Sequence, residues 1–262
     1  MARHLYVETS IRADLDTLWL HTQDPALHQR WDLRFWRIRY LPRADGEPQR
    51  FRYSTLGVSG VGVSMGERHR PDGTCTSALR FGSRHPLSPI RSGSGYWRYV
   101  PVRGGLRFLT VYGYRPHVLP GWLMWWATAW SFDRLRLWLE TGRTPERSLL
   151  QALAELAARA LAVALTVALT VALTVAVAST PVVPGPVTVA VTVAVTVVAI
   201  VLPPLPGTPA ARRCLRRPPT QEEPCPRSSS SRSATPSTAS TPSSNGASAS
   251  GSTPARRASD AE

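Results

Sequence analysis

The stretch 119–140, LPGWLMWWATAWSFDRLRLWLE, carries five of the nine tryptophans of a 262-residue chain within 22 positions. On a helical period Trp125, Phe132, Leu135 and Leu139 fall on one apolar stripe, and Trp126, Trp130 and Leu137 on a second. Both faces ask for cover. Asp133, Arg136 and Glu140 share a narrow polar edge, with Arg136 and Glu140 at the spacing of an i,i+4 ion pair, and Gly142 stands where a C′ glycine ends a helix. A core helix is the plain reading, and one wall of an apolar cavity is the sharper one. The residues upstream choose between them.

Toward the N-terminus, 4–11 alternates as a first strand. Asp14 opens a short helix through Leu18, Trp19 and Leu20, and Asp24-Pro25 opens a second that ends near Arg30. Six strand-like runs follow, 35–41, 49–55, 58–67, 74–81, 95–102 and 106–114. Ala44-Asp45-Gly46, Pro71-Asp72-Gly73 and Arg103-Gly104-Gly105 separate some of them as turns, and Ser92-Gly93-Ser94-Gly95 reads as another turn. One strand, two small helices, six strands and one long helix make an α+β domain.

Arginines assign the faces of the strands, because side chains alternate and a charge rarely faces an apolar interior. Arg37 and Arg39 outward leave Trp36, Ile38 and Tyr40 inward, and Arg50 and Arg52 leave Phe51 and Tyr53. Arg80 leaves Leu79 and Phe81, Arg98 leaves Trp97 and Tyr99, and Arg107 with Arg115 leaves Phe108, Thr110, Tyr112 and Tyr114. The inner face is aromatic and studded with hydroxyls, whereas a dry core favours Leu, Ile and Val. Apolar walls with a few polar groups are the make-up of a small-molecule pocket. The expected cavity residues are Trp36, Tyr53, Phe81, Trp97, Tyr99, Thr110, Tyr112, Tyr114 and Trp125.

The segments VETSIRADLDTLWLHTQDPALHQRWDLRF, GSGYWRYVPVRGGLRFLTVYGYR and ATAWSFDRLRLWLE resemble the SRPBCC family, also called START-like or polyketide cyclase/dehydrase and lipid-transport proteins. The resemblance covers about residues 3–142. It implies a helix-grip fold, in which a curved antiparallel sheet wraps a long C-terminal helix with a hydrophobic cavity between them. It implies the ligand class only broadly, since a fold hosts many functions.

Catalytic signatures are few. His4, His21, His28, His69, His85 and His117 are scattered, with no HExxH, no GxSxG elbow and no phosphate-cradling glycine loop. The cluster Glu67, Arg68, His69, Arg70 reads as a charged strand end, and Asp14 is better explained as a helix cap than as half of a carboxylate pair with Asp16. No catalytic residue, metal site or cofactor is expected. Cys75, Cys214 and Cys225 lack metal-ligand spacing and suit a reducing compartment. The net charge of +14 comes wholly from 31 arginines with no lysine, a composition that points to GC-rich coding. Those arginines are dispersed and no nucleic-acid module is present, so nucleic acid is not an expected partner.

Beyond the domain the composition changes. Thr144-Pro145-Glu146 reads as an N-cap, an N1 proline and an acidic first turn. Arg147, Gln151, Glu155 and Arg159 then recur every fourth residue before the charge-free repeat LAVALTVALTVALTVAVA. The run 160–178 is 19 residues, about 28 Å of helix, close to the hydrocarbon thickness of a bilayer. Three prolines and a glycine within 179–186 break it, and a second apolar run follows at 187–202. Arg143, Arg147 and Arg159 precede the pair and Arg212, Arg213, Arg216 and Arg217 follow it, which places both ends in the cytoplasm. Thr166, Thr170 and Thr174 on one helix and Thr188, Thr192 and Thr196 on the other suit close packing in lipid, although 187–198 also alternates as a strand. No apolar leader precedes residue 12.

The expected organisation is a helix-grip domain over 1–142, an amphipathic linker helix over 143–159, a membrane segment over 160–205 in two transmembrane helices, and a disordered Arg/Ser/Thr/Pro-rich tail over 206–262. The function it points to is a membrane-anchored, cytoplasm-facing domain that binds a hydrophobic small molecule or lipid near the bilayer. Two alternatives compete: a cyclase or dehydratase acting on a polyketide-like substrate, for which loss of turnover on changing Glu67 or His69 would speak, and an interaction module that pairs, as a homodimer, through the tryptophan-rich helix.

Overall fold

The computed structural model describes residues 3–55, 57–88, 90–116, 120–177 and 185–218. His117, Cys225 and the tail from 219 onward, expected to be disordered, lie outside the described residues. The chain runs β1 (Arg3–Ile11), α1 (Leu15–Gln23), α2 (Pro25–Trp31), β2 (Arg37–Tyr40), β3 (Arg50–Thr55), β4 (Val58–His69), β5 (Cys75–Gly82), β6 (Ile90–Val102), β7 (Gly105–Pro116), α3 (Gly121–Thr141), α4 (Pro145–Val177) and α5 (Gly185–Val201), closed by a 3-10 turn (Ala211–Arg213).

The seven strands form one antiparallel sheet in the order β1-β7-β6-β5-β4-β3-β2. Meander connections carry β2 through β7, and β1 closes on β7, so the tight turns read from the sequence set nearly all of the topology. A bulge between Ser64 and Gly66 bends β4, with Gly66 at φ 115°. Asp14 caps α1 by accepting from Thr17 N at 2.7 Å, and Asp24 caps α2 by accepting from Ala26 N at 2.7 Å and Leu27 N at 3.0 Å. α3 packs against β1, and its Phe132 stacks on Phe108 of β7 with ring centroids 4.5 Å apart. Gly142, left-handed at φ 67°, ends α3 by donating its N–H to Trp138 O. This is a helix-grip architecture.

Three expectations about boundaries change. Ser92, Gly93, Ser94 and Gly95 are not a turn but the first part of β6, where Gly93 pairs with Phe81 and Gly95 with Tyr112. The linker helix and the first apolar run are one continuous helix, α4, because nothing between Pro145 and Val177 breaks the backbone ladder. Its 145–175 portion, in which an 18-residue window reaches a mean hydropathy of 2.1, is long and apolar enough to cross a membrane. The run 187–198 is helical within α5 rather than a strand, and α5 lies antiparallel on α4: Thr170 meets Thr192, and Arg159 Nη1 donates to Leu202 O at 2.7 Å and Ala199 O at 3.0 Å.

The third change concerns 206–218, expected to open the disordered tail. This segment instead returns as a strap along α3. Asp133, buried to 0% exposure, accepts from Ala210 N at 2.8 Å and from Arg213 Nη1 at 2.9 Å, besides Arg136 Nε at 2.8 Å. A buried carboxylate without donors is very costly, and the strap supplies two of the three. Cys214 donates its thiol to Ala129 O at 3.3 Å, and Leu215 forms an antiparallel bridge to Glu8 of β1. The polar edge of α3 is thus the seat of the strap, and Arg136 also makes the expected pair with Glu140 at 2.8 Å.

Candidate functional site

α3 covers the β1–β7 side of the sheet. Under the other side, where β2 to β5 curl away, a cavity of about 530 Å³ remains. Its floor is aromatic: Phe51 and Tyr53 from β3, Phe81 from β5, Trp97 from β6 and Tyr112 from β7. Leu33, Phe35 and Ile38 close one side, and Leu123, Met124 and Ala127 of the first turns of α3 form the roof.

Glycine leaves this space open. Across the strand pairs, Phe51 faces Gly62, Tyr53 faces Gly60, Phe81 faces Gly93 and Tyr112 faces Gly95. A Cβ on Gly93 would lie 2.5 Å from the Phe81 ring, and a Cβ on each of the other three would collide with the aromatic side chain opposite it. With no side chain beneath, the Phe51, Tyr53 and Phe81 rings lie down over the neighbouring strand instead of standing into the interior. The wall is therefore thin, and the room that these rings would fill if they stood inward belongs to the cavity.

One polar string crosses the apolar surroundings. Asp32, fully buried, accepts Arg34 Nη2 at 2.6 Å, Arg34 Nε at 2.8 Å and His28 Nε2 at 3.2 Å. Arg34 Nη1 donates to Tyr112 Oη at 3.2 Å; Tyr112 Oη lies 3.2 Å from Thr128 Oγ1, which itself donates to Met124 O at 2.8 Å. The Thr128 proton is committed to Met124, so the phenol donates to Thr128. Burial alone would raise the Asp32 carboxyl, but the Arg34 charge and its hydrogen bonds hold it below the ordinary range, and the same pairing keeps Arg34 firmly protonated against its own burial. Arg34 lines the cavity with its side chain only 12% exposed, so the wall offers a fixed, desolvated guanidinium. Tyr53 adds a phenol that burial pushes up to about 12, a neutral hydroxyl at any physiological pH.

Six of the nine residues expected at the cavity reach its wall: Trp36, Tyr53, Phe81, Trp97, Thr110 and Tyr112. Trp36 is a rim residue, 62% exposed. The other three stand elsewhere. Tyr99 is wholly buried and its hydroxyl is spent on α1, held by Gln23 Nε2 at 2.9 Å and Thr22 Oγ1 at 2.7 Å. Tyr114 is buried beside Tyr112, off the wall. Trp125 faces the strap, with Arg216 over its ring at 5.3 Å. The roof goes to Met124 and Ala127 because α3 is buried on both flanks, which rotates the expected stripe away from the cavity.

Asp32, Arg34 and the four glycines were not anticipated. The signal for the first pair was Asp-Leu-Arg between two aromatics, a charged pair with no outward strand position to occupy. For the glycines it was the Gly-x-Gly spacing at 60–62 and 93–95 inside strands. Of the two residues that would test the enzyme alternative, Glu67 touches the cavity edge, while His69 turns away to Cys75, its Nδ1 3.0 Å from the thiol. Among the described residues no group of three metal-ligating side chains occurs.

No family model matches the chain. An uncharacterized membrane protein of Bacillus subtilis (strain 168), YndG, is 46% identical over an alignment of 165 positions that covers 57% of this chain and 62% of that protein. The chain thus spans less than two thirds of that relative's length. Similar solved structures include Ara h 8.0201 (10% identity, 47% of this chain and 86% of that one, TM-score 0.38). A STAR-related lipid transfer protein from Xanthomonas axonopodis is 19% identical over 51% of this chain and 84% of that one, with TM-score 0.38. The Zhui aromatase/cyclase from Streptomyces sp. R1128 is 16% identical over 46% of this chain and 72% of that one, with TM-score 0.35. The fold assignment rests on the strand order and the gripped helix.

Proposed function

We propose that this chain is a membrane-anchored binding protein for a hydrophobic small molecule or lipid carrying one acidic or strongly accepting group. The observation that carries the reading is the pairing of an apolar cavity of about 530 Å³ with one buried guanidinium at its wall. The volume lies within the range of drug-sized ligand sites. Arg34 already gives three of its five donors to Asp32 and Tyr112, which fixes its orientation and leaves the remaining two N–H bonds for a ligand oxygen.

α4 and α5 serve as the anchor. Both cross the bilayer as a hairpin, and the arginines at its two ends put the domain on the cytoplasmic side. The name of the Bacillus relative as a membrane protein supports the anchoring. The strap, by tying residue 213 to Asp133, keeps the returning end of the hairpin on the domain.

The test is saturable uptake of a fluorescent fatty acid by the full chain in detergent micelles, with mass spectrometry of the organic extract to identify what copurifies. One apolar acid per chain is the expected result. Uptake should drop more than tenfold in Ala127→Phe, which fills the roof without disturbing the strap. Non-saturable uptake, or uptake unchanged in Ala127→Phe, overturns the proposal.

A further inference from the structure

The two ends of α3 differ in a way that the cavity does not explain. At the C-terminal end the chain leaves for the hairpin, and Arg12 N donates to Glu140 Oε1 at 3.0 Å, which fixes that end beside the β1–α1 turn. At the N-terminal end lie the start of β2, the end of β3 with the start of β4, residues 83–88 after β5, and the end of β7, brought together by the sheet register. About 28 Å separates Trp122 from Thr141 along the helix at 1.5 Å per residue.

This far end exposes large apolar side chains from three separate segments: Leu87 at 71%, Trp122 at 63%, Trp36 at 62% and Trp126 at 43%. Trp36 itself lines the cavity, and Leu87 and Trp122 are the chain neighbours of the lining residues Ser88 and Leu123, so these apolar side chains border the cavity's rim. The charge is one-sided. The described residues of this end, 33–37, 54–55, 57–60, 82–88, 90–91, 113–116 and 120–127, contain Arg34, Arg37, Arg84, Arg91 and Arg115 and no aspartate or glutamate. Arg34 is used internally, but Arg37, Arg84 and Arg115 are exposed, and the strap brings exposed Arg216 to the same end over Trp125.

Exposed tryptophans with a leucine, ringed by arginines and free of acidic residues, match the two parts of an anionic bilayer surface: rings at headgroup depth and cations among phosphates. We propose that this end is a docking surface for an anionic bilayer apposed to the one that holds the hairpin. Its place at the opposite end of α3 from the hairpin's exit selects the apposed bilayer over the anchoring one. The surface goes beyond the binding reading and does not require the cavity to be loaded.

The test places the full chain in nanodiscs of neutral phosphatidylcholine and mixes them with sucrose-loaded vesicles, which are then pelleted. Capture by vesicles containing phosphatidylglycerol, weak capture by phosphatidylcholine vesicles, and loss of capture in 0.5 M salt are expected, since surface charge is screened at that ionic strength. Trp122→Glu should lower capture more than tenfold, and Arg84→Gln and Arg115→Gln about fivefold each. All three positions are exposed, and unchanged fatty-acid uptake by each variant reports an intact fold. Three results overturn the proposal: equal capture by neutral vesicles, capture indifferent to these substitutions, or a dimer of the free chain that Trp122→Glu dissolves. A fourth is quenching of tryptophan by brominated lipid placed in the nanodisc itself, which would lay this end on its own bilayer.

Discussion

The two sides of the sheet use the same residues to opposite ends. On the β1–β7 side Phe108 and Phe132, both at 0% exposure, stack ring on ring and Tyr99 packs against them, so the aromatics fill the space beneath α3. On the β2–β5 side Tyr53 and Phe81 have similar bulk, yet each lies over a glycine and leaves a void. What separates a dry core from a cavity here is not hydrophobicity. It is which residue stands opposite each ring, and whether a helix comes down to meet it.

Truncation gives the largest contrast. Phe132→Ala opens a void in a closed, well-packed layer and should cost about 3–5 kcal/mol. Phe81→Ala enlarges a space that already exists, so it loses little beyond the transfer of a partly buried ring, about 1–2 kcal/mol. Urea midpoints followed by tryptophan fluorescence would separate the two. Equal losses would mean that the β2–β5 side is as tightly packed as the other, and the comparison would break.

The next effect in size tests the polar string, which only the cavity side has. Asp32→Asn leaves Arg34 buried without its counter-charge and should cost about 3 kcal/mol. A pH signature comes with it. The folded Asp32 carboxyl sits below its unfolded value of about 3.9, so its contribution is complete above that value and is lost as pH falls through and below it. The wild-type chain should therefore lose stability relative to Asp32→Asn on acidification below about pH 4. Parallel pH dependences for the two would show that the pair holds no differential charge energy.

Much of this architecture could be read in the chain. Asp14, Asp24-Pro25 and Gly142 mark helix ends by local chemistry, and alternating arginines gave the correct inner face for Ile38, Tyr53, Trp97, Phe108 and Tyr112, because both signals act within a few residues. The errors came where the cause lies far off in sequence. Tyr99 has the right parity for the cavity, but α1, some 77 residues away, takes its hydroxyl. Trp125 reads as a cavity residue because nothing in the local pattern tells that Ala210, Arg213 and Cys214 cover the other flank of α3. Residues 206–218 read as a polar, proline-rich tail for the same reason: their partner is one buried carboxylate, Asp133, far upstream.

The smallest effect on stability is the sharpest on the cavity. Of the four glycines, Gly93 is the cleanest to change, since the atoms nearest a new Cβ all belong to the Phe81 ring, whereas Gly60 and Gly95 would also strike the Gly82 and Val111 carbonyls. In Gly93→Ala the added methyl favours the extended backbone by roughly 0.5–1 kcal/mol, and lifting a ring that borders open space consumes a comparable amount. The net stability change should stay within about 1 kcal/mol. The lifted ring, however, enters the cavity and removes room for about one to two methylenes, each worth about 0.8 kcal/mol of burial. Against a series of saturated fatty acids, the preferred chain length should shorten by about that many carbons. The same shortening from Gly62→Ala, acting through Phe51, would establish that glycine opposite aromatic sets the length of the site. An unchanged preference in both would place the ligand's chain elsewhere than along these rings.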